Sequence, residues 1–153
     1  MFLGIQQGKI KFYTEEALDK TLYNLDEVIE TDDEYVLDNE EYVLNDETYK
    51  EKKAQEEKER IAMLSLTRGD VFRALYQAKG VTRTQIRALI KNNELISEAQ
   101  RELALIDFDE ALNFYRGNTL IDTLGLALGI SSEQLDKFFE TNDYTVLLPV
   151  ENV

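Results

Sequence analysis

Hydrophobic and polar positions fall into distinct regimes along the chain. Between residues 1 and 13, Phe2, Ile5, Ile10 and Phe12 alternate loosely about Gly8, which predicts a strand or hairpin. Thr14, followed by Glu15 and Glu16, is a candidate cap for a short helix through Leu18 and Leu22; Tyr23–Ile29 reads equally well as extended chain. A seven-residue echo follows, Tyr35-Val36-Leu37-Asp38-Asn39-Glu40-Glu41 against Tyr42-Val43-Leu44-Asn45-Asp46-Glu47-Thr48. Its Tyr-Val-Leu units favour strands and its Asp, Asn and Glu breaks favour turns, so the expectation is a small β-meander over Glu27–Thr31, Glu34–Leu37 and Glu41–Leu44. Three such strands are marginal alone, and the apolar tail Tyr144–Val150 is a candidate to cover them.

From Thr48 to Leu64 the pattern changes to charged residues at helical spacing, with no Gly or Pro, becoming apolar only at Ile61, Met63 and Leu64. This predicts an exposed connecting helix whose end enters the next module. Beyond it one pattern occurs twice, at an offset of 49 residues: Leu75 falls on Leu124, Gly80 on Gly129, Thr82 on Ser131, Gln85 on Gln134, Ile86 on Leu135 and Ile90 on Phe139. Each copy reads as an apolar helix, a glycine, a β-branched residue, a hydroxyl cap and a second apolar helix. In the first copy Thr67 is the expected cap, and Val71, Phe72, Leu75 and Ala78, then Ile86, Leu89 and Ile90, are expected to face inward. A long helix from about Glu94 to Tyr115 is expected between the copies, burying Ile96, Ala99, Leu103, Ile106 and Leu112, with a kink near Asp107–Asp109. The fold class is therefore α+β. An acidic β-containing module spans 1–47, a charged helix 48–65, a helical domain 66–142 with hairpins 67–92 and 116–141, and a tail 143–153.

Charge sharpens this division. The net charge of −14 resolves into −10 over residues 1–50, +4 over 51–101 and −8 over 102–153, so the two hairpin copies share a hydrophobic plan but carry opposite charge. The chain has no Cys and no His, which removes disulfides, thiolate chemistry, the usual general base and the commonest metal ligand. No Gly-rich phosphate loop, nucleophile elbow or catalytic constellation occurs, so the expectation is a non-enzyme without metal or other cofactor. No apolar run approaches the ~18 residues needed to span a bilayer, and Gln6, Gln7, Lys9 and Lys11 interrupt the apolar start. A cytoplasmic protein is expected.

Candidate chemistry lies in the charged surfaces. Asp32, Asp33, Glu34, Asp38, Glu40, Glu41, Asp46 and Glu47 form an acidic run suited to a basic partner. Three readings apply: solvated turns and charged edge strands, imitation of nucleic-acid phosphates, or calcium binding, which the absence of Gly between Val28 and Thr48 disfavours. Arg73, Arg83 and Arg87 form a basic face on the first hairpin. A helix-turn-helix would present Arg83, Thr84 and Arg87 to a major groove, but the acidity of the chain disfavours direct nucleic-acid binding. The preferred alternative is a scaffold hairpin whose charge complements the acidic copy, within the chain or between copies of it. Arg68-Gly69-Asp70 spells an adhesion tripeptide, but in the first turn of an expected helix.

The stretch Tyr49–Arg68, with its Met63-Leu64-Ser65-Leu66-Thr67 junction, and the following Asp70–Tyr76 and Gly80-Val81-Thr82, resembles small acidic proteins encoded by prophages of anaerobic bacteria. In those proteins a Tyr-Val-Leu-type acidic segment precedes a charged helix and a helical end domain. The resemblance implies an accessory tail-region or host-interaction protein, virion-associated or cytoplasmic in the bacterial host, whose partner is a phage structural protein. Anti-CRISPR inhibitors are similar in size and charge, and under that alternative the partner is a host nuclease.

Overall fold

A computed structural model describes residues 1–150 and shows an α+β chain in two compact units, Met1–Glu56 and Glu57–Val153. The division falls inside the charged helix α1 (Glu47–Ala62), which has no buried residue.

The first unit begins with β1 (Phe2–Gln6) and β2 (Lys9–Thr14), an antiparallel hairpin. Its two-residue turn, Gln7-Gly8, has positive φ at both positions, the conformation that matches strand twist. The next strand, β3 (Glu27–Glu30), pairs antiparallel with β1, giving the order β2-β1-β3. β4 (Tyr35–Asp38) and β5 (Glu41–Leu44) form a separate hairpin about Asn39-Glu40, again with φ positive at both positions. The expected strands exist at their expected places, but they do not form one meander. The first joins the N-terminal hairpin, where Phe2, Leu3 and Gly4 supply a pairing edge, and the other two pair with each other. Residues 15–26 carry turns and no helix; Asp19 accepts backbone hydrogen bonds from Thr21 and Leu22, a local turn that competes with helix. The buried apolar residues of this unit are Leu3 and Leu25, and the Tyr13 ring packs on Tyr35 and Tyr42 at 5.6 and 5.9 Å.

The second unit runs from the end of α1 through β6 (Ser65–Thr67), α2 (Arg68–Lys79), α3 (Arg83–Lys91), α4 (Glu98–Glu110), β7 (Asn113–Tyr115), α5 (Thr119–Leu128), α6 (Ser132–Thr141) and a 3-10 turn, Tyr144–Leu147. The duplicated pattern folds as two hairpins of the same local design. Gly80 and Gly129 close α2 and α5 with φ of 67° and 66°. Thr82 and Ser131 then start α3 and α6 in reciprocal capping boxes with Gln85 and Gln134. One core takes in both copies: Val71, Ala74, Leu75, Ile86 and Ile90 from the first, Leu120, Ile121, Leu124, Leu135, Phe138 and Phe139 from the second.

Four expectations change here. The long helix is shorter, because Ser97 caps it through a box with Gln100 and Ala111 leaves helical geometry; Asn113–Tyr115 then pairs with Ser65–Thr67. It is also turned about its axis, so that Leu105 and Phe108 are buried while Ala99, Leu103 and Ile106 are exposed; Leu112, also exposed, lies beyond its end. The tail, expected against the acidic strands, packs within the helical unit: Leu147 is fully buried in its core, and Gln134 donates to the carbonyls of Val146 and Leu148. Of the residues expected inside, Leu89 lies at the surface of α3.

At Gly125, α5 packs directly against Leu135 of α6. A Cβ there would stand 2.7 Å from Leu135 Cδ1 and 3.2 Å from the Ile130 carbonyl oxygen. Gly125→Ala is therefore expected to destabilise by about 1–3 kcal/mol despite alanine's higher helix propensity. Gly69→Ala meets only Thr67 Oγ1 at 3.9 Å and is expected to stabilise by up to ~1 kcal/mol. Urea midpoints of the two variants should move in opposite directions.

Candidate interaction surfaces

Most of the acidic run is occupied in contacts within its own unit, to the strands and to α1. Asp38 accepts from Lys53 Nζ at 2.9 Å, and Glu41 pairs with Lys9. Glu34 accepts from Asn45 Nδ2 at 2.9 Å, Asp46 caps α1 by accepting from the Tyr49 backbone N–H at 2.9 Å, and Glu47 stands 3.7 Å from Lys50. The backbone carbonyls of Asp33 and Glu40 accept from the Tyr13 hydroxyl and Lys11 Nζ. Among the described residues, only the carboxylates of Asp32, Asp33 and Glu40 in this run hold no partner, and all three are exposed.

The basic face is likewise engaged. Arg73 donates to Asp70 at 2.9 Å, one turn back on α2. Arg83 lies over the Phe72 and Phe108 rings at 5.7 and 5.8 Å, a cation–π placement over core aromatics. Arg87 reaches across to α4 and donates to Asp109 at 3.0 Å; that carboxylate raises the already high pKa of the guanidinium. Arg83 and Arg87 thus rest on α2 and α4 while staying exposed at the surface of α3. The charge pairing of the second copy is internal to it, since Arg116, Asp122 and Asp136 all belong to that hairpin. Arg116, 6% exposed, donates from Nε to Asp136 at 2.7 Å, from Nη1 to Asp122 at 2.8 Å and from Nη2 to the Ser132 hydroxyl at 2.9 Å. Two carboxylates of the acidic copy are thereby used to fasten α5 to α6. A buried arginine leaves no periodic trace in a sequence; the signal available was its isolation among acidic neighbours.

Asp70 illustrates how local these charges are. Its carboxyl is held below the ordinary value of 3.8, first by the Thr67 hydroxyl, which donates to it at 2.8 Å, and then by Arg73. A carboxyl with a depressed folded pKa stabilises the fold above its unfolded pKa and loses that contribution as pH falls through the folded value. Asp70→Asn should therefore lower the melting temperature at neutral pH, and the deficit should shrink in acid. A deficit independent of pH would contradict this.

The helical unit also leaves an apolar surface uncovered. Between α3 and α5, lined also by residues 92–95, lies an open groove of about 780 Å³. Its apolar lining includes Leu89, Leu95, Leu126 and Leu128, and Glu94 is the one charged residue there. Leu95 is 78% and Leu126 71% exposed. The shape arises because α3 buries Ile86 and Ile90, and α5 buries Leu120, Ile121 and Leu124, leaving Leu89 and Leu126 on the flank between the helices. Among the described residues there is no cluster of three or more acidic side chains placed to hold a metal ion, and no helix is long and apolar enough to cross a membrane. Compared with protein-family models, with curated proteins and with solved structures, the chain matches none.

Proposed function

We propose that this protein works by binding another protein, and that the groove between α3 and α5 is the principal contact. The exposed leucines in that groove carry the reading. Leu95 and Leu126 sit at the rim of a concave apolar surface between two helices, the shape that receives the apolar face of a partner helix. The net charge of −14 supports a partner with a basic surface. The resemblance of residues 49–82 to small prophage-encoded proteins supports a phage accessory setting, in which the partner is a tail or other virion component. Nuclease inhibition by nucleic-acid mimicry draws less support, because most carboxylates of the acidic run are occupied in the unit's own turns and ion pairs.

Co-expressed with the proteins encoded beside it, the chain is expected to co-purify with one of them. Leu89→Ser combined with Leu126→Ser should reduce that recovery at least about tenfold, equivalent to losing ~1.4 kcal/mol of binding. Thermal unfolding should remain cooperative, since both side chains are at the surface. Undiminished recovery with the double variant would refute the groove as the contact.

A further inference from the structure

The groove does not account for the outer face of α4. Ala99, Leu103 and Ile106 recur at positions i, i+4 and i+7, on one side of the helix, and all three are exposed, Leu103 at 64% and Ile106 at 56%. The opposite side of α4 is already committed, with Leu105 and Phe108 buried. The helix is thus apolar on two faces, and only one is covered by the fold. A solvent-exposed helix face ordinarily carries polar residues, so a second apolar stripe needs a partner.

The charges around the stripe define that partner. Helical geometry places Glu102 on one flank, Glu110 in line with the stripe one turn beyond Ile106, and Glu98 at the N-terminal end. All three are exposed carboxylates, and none is in an ion pair among the described residues. The hydrogen bonds of the nearby cations go elsewhere, although Arg87 also feels the charge of Glu102. Arg87 is bonded to Asp109, Arg68 donates to the Asp109 carbonyl at 2.6 Å, and Arg101 donates to the carbonyls of Asn93 and Ile96 at 2.9 Å. The face is therefore an apolar stripe in an acidic rim. Two copies packed face to face about a two-fold axis would bring carboxylate rims together, which opposes self-association here.

We infer that the outer face of α4 binds a cationic amphipathic helix of a partner protein, with its apolar residues on Leu103 and Ile106 and its Lys or Arg residues against Glu98, Glu102 and Glu110. This surface is separate from the α3/α5 groove, and either can fail without the other. The probe is a designed amphipathic helix of about 18 residues with leucines at i, i+3, i+4 and i+7 and lysine and arginine on both flanks. A peptide with glutamates in place of those cations is the control.

The full chain should bind the cationic peptide, more weakly as salt rises, and should not bind the acidic one. Leu103→Ser with Ile106→Ser should weaken binding at least about tenfold, and Glu102→Lys with Glu110→Lys should transfer the preference to the acidic peptide. Leu89→Ser with Leu126→Ser, and Asp32→Asn with Glu40→Gln, should leave cationic-peptide binding unchanged. The inference is overturned if the cationic peptide does not bind, if binding survives the α4 substitutions, or if the N-terminal substitutions remove it as effectively. It is also overturned if sedimentation shows a dimer that Leu103→Ser with Ile106→Ser dissociates, since a second copy would then be the occupant.

Discussion

Phe108→Ala is expected to destabilise the helical unit by about 3–5 kcal/mol, enough to unfold much of a marginally stable population at 37 °C. Phe108 is fully buried on the inner face of α4. Its ring meets Phe72 at 5.0 Å with a 48° tilt, and Phe72 in turn meets Phe114 at 5.7 Å, so one aromatic run joins α2, α4 and β7. Arg83 closes the run from outside by lying over both Phe72 and Phe108. Truncating Phe108 opens a cavity, removes the ring contact and uncovers the stacking surface of Arg83 together. Leu103→Ala, five residues away on the other side of the same helix and 64% exposed, should cost under ~0.5 kcal/mol. That contrast tests the orientation of α4 directly. If Leu103→Ala proved the more destabilising of the two, the helix would be turned the other way.

The second large effect is expected at Arg116. Its guanidinium spans three partners on two helices, and the side chain is 7% exposed against 59% for Asp122 and 34% for Asp136. Arg116→Ala removes all three charge-assisted bonds and the packing of the aliphatic stem, and leaves Asp136 half-buried without its cation. A loss of about 2–4 kcal/mol follows, below the upper range for fully buried pairs because both carboxylates keep access to water. Arg116→Lys retains the charge but cannot reproduce the fork, so it should still lose about 1–2 kcal/mol. Denaturant midpoints should rank wild type above Lys and Lys above Ala, with unchanged slopes. Equality of Arg and Lys would mean that the charge alone matters and that the geometry of the fork does not.

What could be read in the sequence divides along physical lines. The hairpin copies were legible because each rests on local chemistry: a glycine at positive φ, a hydroxyl cap and a glutamine three residues on. The same signal stands at Ser97 and Gln100, and reading it would have placed the start of α4 correctly. Which side of α4 faces inward was not legible. Ala99, Leu103 and Ile106 recur at helical spacing, and so do Ala104, Leu105 and Phe108; only the neighbouring helices decide between them. Strand pairing was likewise non-local, since Glu27–Glu30 could have joined either hairpin and the exposed backbone edge of β1 took it.

For the candidate sites, the charged residues were visible but their commitments were not. Asp38, Glu41, Arg83 and Arg87 each found partners within their own unit, and this moves the weight of the functional reading from charge to exposed leucines. Leu89 was expected in the core and Leu126 was not singled out. The signal that could have found Leu126 was the surplus of apolar residues on α5, where Leu120, Ile121, Leu124, Leu126 and Leu128 exceed what one helix face can bury.

The most direct test of a protein-binding groove is to place a photo-crosslinking phenylalanine analogue at position 126 and, as a control, at position 76, where Tyr76 is exposed on α2 outside the groove lining. On irradiation in cells that also make the proteins encoded beside this one, position 126 should give a discrete adduct whose mass identifies one partner, and position 76 should not. Adducts equal at both positions, or none at position 126, would contradict the account.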